Sequence, residues 1–238
     1  ENTYSFLQLN RDTMTEVALI DHNGEGEATA NIQLCTAHWY GGNREQSCEN
    51  TVKSVKKLLG GIQIDGYYEL NMSEIPKLNN MVDGVTVTLE DDFSKKYPKM
   101  KKGATINLDD EQAYAYVHDR YGVGDEENTS RMKRQQQYMT GFFKKLQENV
   151  KANPNYANEV FESLQDVSTT DITIGKISNI SNIFASGTDK GIFELAGKSK
   201  IGQALGDEID HMEFYVNKKA MVSTMSELFG IVEQKNKE

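Results

Sequence analysis

Long hydrophobic runs are missing from this sequence. Nowhere do the roughly 20 consecutive apolar residues needed to cross a bilayer occur, and no signal-peptide pattern opens the chain. Positive charge is also in deficit, with 26 Lys+Arg against 36 Asp+Glu and a formal charge of −10, which argues against nonspecific nucleic-acid binding. Proline is scarce at 3 residues; with 37% hydrophobic and 26% charged residues, the composition is that of a folded globular chain. Its 238 residues suffice for one large domain or two small ones. The only cysteines, Cys35 and Cys48, stand 13 positions apart with no CxxC pair, which argues against a zinc site. They could bridge in an oxidising setting; two unpaired thiols are the default expectation. His22, His38, His118 and His211 show no metal-ligand spacing, and no GxSxG, P-loop or GxGxxG pattern appears.

What is present is an alternation of strand and helix signals. "TYSFLQL" and "TEVALID" read as strands, and "DHNGEGE" as a turn. "SCENTVKSVKKLLGG" is an amphipathic helix with Val52, Val55, Leu58 and Leu59 on one face. "IQIDGYYELN" reads as a strand, "MSEIPKLNNMV" as a helix, and "VTVTL" as a half-buried strand. In "DDEQAYAYVHDR" the spacing from Asp109 to Gln112 is that of a capping box. A long helix follows over about 129–150, then a shorter one over 155–164, the strand "MEFYVN" and a closing helix "KKAMVSTMSELFGIV". This order argues an α/β fold with helices on both sheet faces.

Chemistry concentrates in "DRYGVGDEENTSRMKRQQQY", residues 119–138. Arg120, Arg131, Lys133 and Arg134 flank a Gly-rich acidic loop, and Arg131, Arg134 and Tyr138 fall on one helix face. Cations in a first helical turn oppose the macrodipole, so the arrangement suits a bound anion held by helix N–H groups and guanidinium forks. Asp119, Asp125, Glu126 and Glu127 neutralise the window, and a solvated helix with local ion pairs remains the simpler account of this stretch alone. In "NRDTM", Arg11 and Asp12 follow a strand end, where α/β sheets place ligands. The five lysines of "KKYPKMKKG" read as a solvated loop.

Taken together, "LNRDTMTEV", "SCENTVKSVKKLLGGIQIDGYYELNM", "IPKLNNMVDGVTVTLEDDF", "LDDEQAYAYVHDR" and "SRMKRQQQY" resemble, in order and spacing, the LytR–CpsA–Psr (LCP) family of cell-envelope proteins. The resemblance covers roughly residues 4–147, with 1–150 as the core and 151–238 as C-terminal helices, strand and closing helix packed on the same domain. It implies a three-layer α/β/α fold with a central mixed sheet. It also implies a membrane-anchored phosphotransferase on the extracytoplasmic face of the membrane. Such an enzyme moves an anionic glycopolymer from a polyprenyl-pyrophosphate carrier to peptidoglycan, with Mg2+ on the pyrophosphate. Matched to the family's motifs, Arg11, Arg120 and Arg131 are the expected catalytic residues, and Arg134, Gln135 and Asp12 the expected substrate-binding ones. His118, Asn128, Ser130, Gln33 and Thr86 depart from the family's pattern. The anchor and the aspartates that carry the metal are expected upstream, so no metal ligand is expected in this chain and the residues given are not expected to be active alone. The alternatives are a non-catalytic protein that binds polyprenyl phosphates or envelope polymers, and a regulator of transcription; no helix-turn-helix signal supports the latter.

Overall fold

A computed structural model describes residues 2–26 and 28–230. In chain order the strands and helices are β1 (Thr3–Gln8), β2 (Met14–Ala18), β3 (Thr29–Gln33), α1 (Arg44–Leu58), β4 (Tyr68–Leu70), α2 (Ile75–Met81), β5 (Thr86–Thr88), β6 (Thr105–Asn107), α3 (Asp110–His118), α4 (Asn128–Ala152), α5 (Tyr156–Ser163), β7 (Ser168–Thr170), α6 (Ile174–Ser186), β8 (Thr188–Glu194), β9 (Gly197–Gly202), β10 (His211–Val216) and α7 (Lys218–Phe229). The class is α/β, as the alternation indicates. The strands pair as β1–β8, β2–β3, β4–β7, β5–β6 and β9–β10. The β2–β3 and β9–β10 pairs are each antiparallel, and an isolated parallel bridge from Thr13, just before β2, to Phe214 of β10 joins them. Among the described residues the strands thus form small two-stranded sheets rather than one continuous central sheet. The chain forms two compact units. One takes residues 2–4, 70–168 and 172–191, the other 5–69, 169–171 and 192–230.

In the first unit, alternation in β5 works as the sequence implies. Val85, Val87 and Leu89 are buried, while Thr86 and Thr88 face out and bond across to Asn107 and Thr105 of β6 at 3.1 and 2.8 Å. The inward side chains join Phe93, Met100, Leu108, Tyr116, Tyr138 and Phe142 in the core. Phe93 and Met100 also pin the lysine-rich loop, through a 2.9 Å bond from the Phe93 N–H to the Met100 carbonyl. Helix α3 has the expected capping box: Asp109 Oδ1 accepts from the Gln112 N–H at 2.9 Å and Gln112 Oε1 from the Asp109 N–H at 3.2 Å. Gly141 lies inside α4, where glycine ordinarily weakens a helix. A Cβ there would come within 2.6 Å of Val85 Cγ1, so the glycine lets the helix lie against the β5–β6 ladder.

Asn79, 1% exposed, ties this core together. Its Nδ2 donates to the Leu108 carbonyl at 3.0 Å and to Asp110 Oδ1 at 3.1 Å; its Oδ1 accepts from the Val85 N–H and the Tyr138 hydroxyl, both at 3.2 Å. Asn79→Ala strands those groups, each at a cost of about 1–3 kcal/mol if buried and unsatisfied. The expected result is a loss of about 3 kcal/mol in urea denaturation. A loss within experimental error would show that water reaches them.

In the second unit, α1 begins at Arg44, capped by Asn43 Oδ1 on the Gln46 N–H at 2.9 Å. Its most buried helical positions are Ser47, Cys48, Asn50 and Ser54, small residues that admit close approach, rather than the apolar stripe read from sequence. Asn50 Nδ2 straps the helix to the carbonyls of Ala18 at 3.0 Å and Ala37 at 2.9 Å. Val55 and Leu58 instead pack at the edge of a second cluster around Leu59, Leu195 and Met225. The expected strand "IQIDGYYELN" shrinks to β4. Side chains replace the ladder just before it: Asp171 accepts from the Tyr67 N–H at 2.8 Å and the Thr170 hydroxyl donates to the Tyr67 carbonyl at 2.5 Å. Helix α7 ends at Phe229 before Gly230, in left-handed conformation; the last two residues of the expected closing helix, Ile231 and Val232, lie outside the described residues.

Candidate anion-binding site

The first and second turns of α4 carry Arg131 and Arg134, and the chain reaches them through the loop over 121–127. Arg134 is 2% exposed, unusually low for an arginine. Its three guanidinium nitrogens are all engaged: Nε donates to the Tyr116 carbonyl at 3.0 Å, Nη1 to Asp91 Oδ2, and Nη2 to the Asp119 carbonyl. The Phe93 ring lies below it, 5.4 Å from centroid to Cζ. Glycine at 124 is required by this arrangement, because a Cβ there would come within 2.5 Å of Asp91 Oδ1. Arg134 therefore holds the end of α3, the Asp91 loop and the chain just before Arg120 in one frame. Gln135 adds a bond from Nε2 to the Val117 carbonyl at 3.0 Å. These two residues, expected to bind substrate, touch the protein itself and build the scaffold.

Arg120 and Arg131 are different. Both are half-buried, and they stand at the two ends of that loop in sequence. Arg120 lies with its Cζ 4.6 Å from the centroid of the exposed Tyr121 ring and donates to the Tyr121 hydroxyl. Arg131 Nη2 donates to Asn128 Oδ1 at 2.6 Å. The loop is braced internally: Asp125 accepts from the Glu127 N–H at 2.9 Å and the Ser130 hydroxyl at 2.8 Å, which hold its carboxyl below the usual range. His118, in place of an expected arginine, stacks on Tyr114 at 4.7 Å and lies 3.1 Å from Asp119 Oδ1.

Arg11 and Asp12 belong to the second unit. Arg11 Nε is 3.6 Å from Asp12 Oδ1, Nη2 reaches the Cys35 sulfur at 3.5 Å, and the side chain is 53% exposed. Both cysteines are free thiols. Gln33, near the position of a family lysine, donates to the Met212 carbonyl at 3.2 Å. Sequence reasoning missed a further grouping here. His38 Nε2 lies 3.8 Å from Cys48 Sγ, and with Glu69 these residues place ligand atoms within 4.8 Å of one another. Burial, and then the charge of Glu69, push the Cys48 thiol up from its ordinary pKa.

Comparison with known proteins fits this picture. The LytR_cpsA_psr family model matches residues 1–229. The chain belongs to the LytR–CpsA–Psr family. No curated protein sequence matches it. Among solved structures, this LCP chain is similar to a protein from Streptococcus agalactiae, at 21% identity and TM-score 0.73, covering 100% of this chain and 77% of that one. A structure described as TagT bound to LI-WTA is 19% identical with TM-score 0.70, covering 97% and 79%. TagV of B. subtilis is 19% identical with TM-score 0.69, covering 97% and 85%. At these identities the likeness establishes a shared fold. LCP proteins are associated with the cell envelope; among the described residues of this one, no helix is long and apolar enough to cross a membrane.

Two residues of the LCP arginine frame had no signal in the sequence as read. Asp91, in "LEDDF", looks like any loop carboxylate until Arg134 is seen to be buried against it. Tyr116, in "AYAYV", reads as core packing, and it is; its hydroxyl also donates to Gln137 Oε1, and burial pushes its pKa up.

Proposed function

We propose that this LCP protein binds the pyrophosphate of a polyprenyl-linked cell-wall glycopolymer and transfers the polymer to peptidoglycan at the extracytoplasmic face of the membrane. Family membership supports the coarser statement, a cell-wall glycopolymer transferase family. The observation that carries the finer one is the division of labour around the loop. Arg134 is locked into the frame and holds the Asp119 carbonyl next to Arg120, while Arg120 and Arg131 are half-buried residues whose guanidinium groups bond to Tyr121 and Asn128 beside the loop. In the proposed reaction an acceptor hydroxyl oxygen bonds to the polymer-bearing phosphorus and the phosphoanhydride bond breaks. The polyprenyl phosphate leaves with the electron pair, and the hydroxyl proton is released. Guanidinium forks are suited to the charge that gathers on the bridging and leaving oxygens.

Magnesium, implied by the resemblance, prefers an all-oxygen octahedral shell. Among the described residues, the grouping able to hold a metal contains a thiol and an imidazole, so its donor set does not fit magnesium. No step here runs through that ion. A second reading, binding of the carrier without transfer, is favoured by His118, which stacks on Tyr114 where the family pattern has another arginine. A transfer assay with a polyprenyl-pyrophosphate oligosaccharide and peptidoglycan, run on the chain extended upstream to include the aspartates expected there, separates the two. Covalent product that is lost in Arg120→Ala supports transfer; tight carrier binding with no product supports the second reading.

A further inference from the structure

Three elements of the second unit converge on a point that the arginine site does not involve. His38 comes from the 3-10 turn Leu34–Trp39, Cys48 from α1, and Glu69 from β4. Their ligand atoms lie within 4.8 Å of one another, and the His38–Cys48 pair is already at 3.8 Å. Around a tetrahedral zinc ion with arms of about 2.0–2.3 Å, neighbouring ligand atoms sit roughly 3.5 Å apart. The cluster therefore needs a closure of about an ångström, which half-buried His38 and Glu69 side chains can supply while Cys48, 3% exposed, stays fixed.

Charge also favours a cation. Glu69, Glu45 and Asp171 act on the Cys48 thiol, opposed by Arg44. Arg44 Nη2 bonds to Glu69 Oε2, which orients the carboxylate. Thiolate, imidazole and carboxylate together form a set that suits zinc and not magnesium or calcium.

We propose that His38, Cys48 and Glu69 form a zinc site with three protein ligands and a fourth position open to water. The ion would tie α1, the 3-10 turn and β4 together. On binding, the Cys48 thiol loses its proton to solvent as the sulfur–zinc bond forms, and no electron is transferred. The site is independent of the transferase reading, since it lies outside the arginine frame.

Cobalt(II) is the probe, because its thiolate complexes absorb by charge transfer. Titration of the intact chain should give one equivalent of cobalt with a thiolate charge-transfer band, displaced by an equal concentration of zinc. The band should vanish in Cys48→Ser and persist in Cys35→Ser. His38→Ala and Glu69→Gln should each weaken cobalt affinity by more than about tenfold, since even groups behind the ligands matter at the 10–100-fold level. Should Cys48→Ser fail to fold by circular dichroism, the His38 and Glu69 variants decide. No charge-transfer band in the wild type, a band surviving in folded Cys48→Ser, or unchanged affinity in both other variants overturns the site.

Discussion

Arg134→Met is expected to cost about 3–5 kcal/mol of folding stability, the loss typical of removing one partner from a buried ion pair. The substitution keeps much of the side chain's volume but leaves the Asp91 carboxylate without its guanidinium. It also removes the donors to the Tyr116 and Asp119 carbonyls. Arg134→Lys should recover only part of the loss, because one ammonium cannot reproduce a planar fork serving three acceptors in different directions. Coupling is the sharper test. Adding Asp91→Leu to Arg134→Met should be less damaging than the sum of the single changes, since the second removes the charge that the first strands. Urea denaturation of the four proteins measures this. A loss below about 1 kcal/mol in Arg134→Met, the scale of an exposed pair, would mean that the frame is held by other contacts.

Arg131→Ala should behave in the opposite way. Its stability should stay within about 1 kcal/mol of wild type, as for most half-exposed positions. Its affinity for a polyprenyl pyrophosphate should fall by roughly 10–150-fold, the equivalent of one hydrogen-bonded charge contact of about 1.5–3 kcal/mol. Arg120→Ala should show the same signature. Arg134 and Arg131, one turn apart on the same helix, would thus separate into a residue that builds the site and a residue that uses it. If Arg131→Ala instead unfolds the protein at unchanged affinity, the two roles have been assigned the wrong way round.

Much of this was legible in the sequence because local signals agreed with the fold. The Asp109 capping box, the alternation in β5 and the length of α4 all rest on short-range chemistry that a window of residues contains. The elements between β7 and β9 gave no such signal. Helix α6, "IGKISNISNIFAS", mixes β-branched residues with Ser and Asn, poor helix formers that here follow a Thr173 cap and pack on α4 and α5. The arginines were visible as a group, but not which of them is buried. That depends on Asp91, 43 positions away. The His38–Cys48–Glu69 grouping was hidden for the same reason. Its ligands come from a 3-10 turn, a helix and a strand, so no regular spacing links them, and the lack of CxxC argued against a zinc site that the fold itself makes geometrically feasible.

The most direct test of the anion site compares two ligands of one chain length, a polyprenyl pyrophosphate and the corresponding polyprenyl alcohol, by calorimetry on wild type and Arg131→Ala. The arginine site predicts that wild type strongly prefers the pyrophosphate and that Arg131→Ala loses most of that preference while its weak alcohol binding is unchanged. Equal affinity of wild type for both ligands, or a preference untouched by Arg131→Ala, would contradict it.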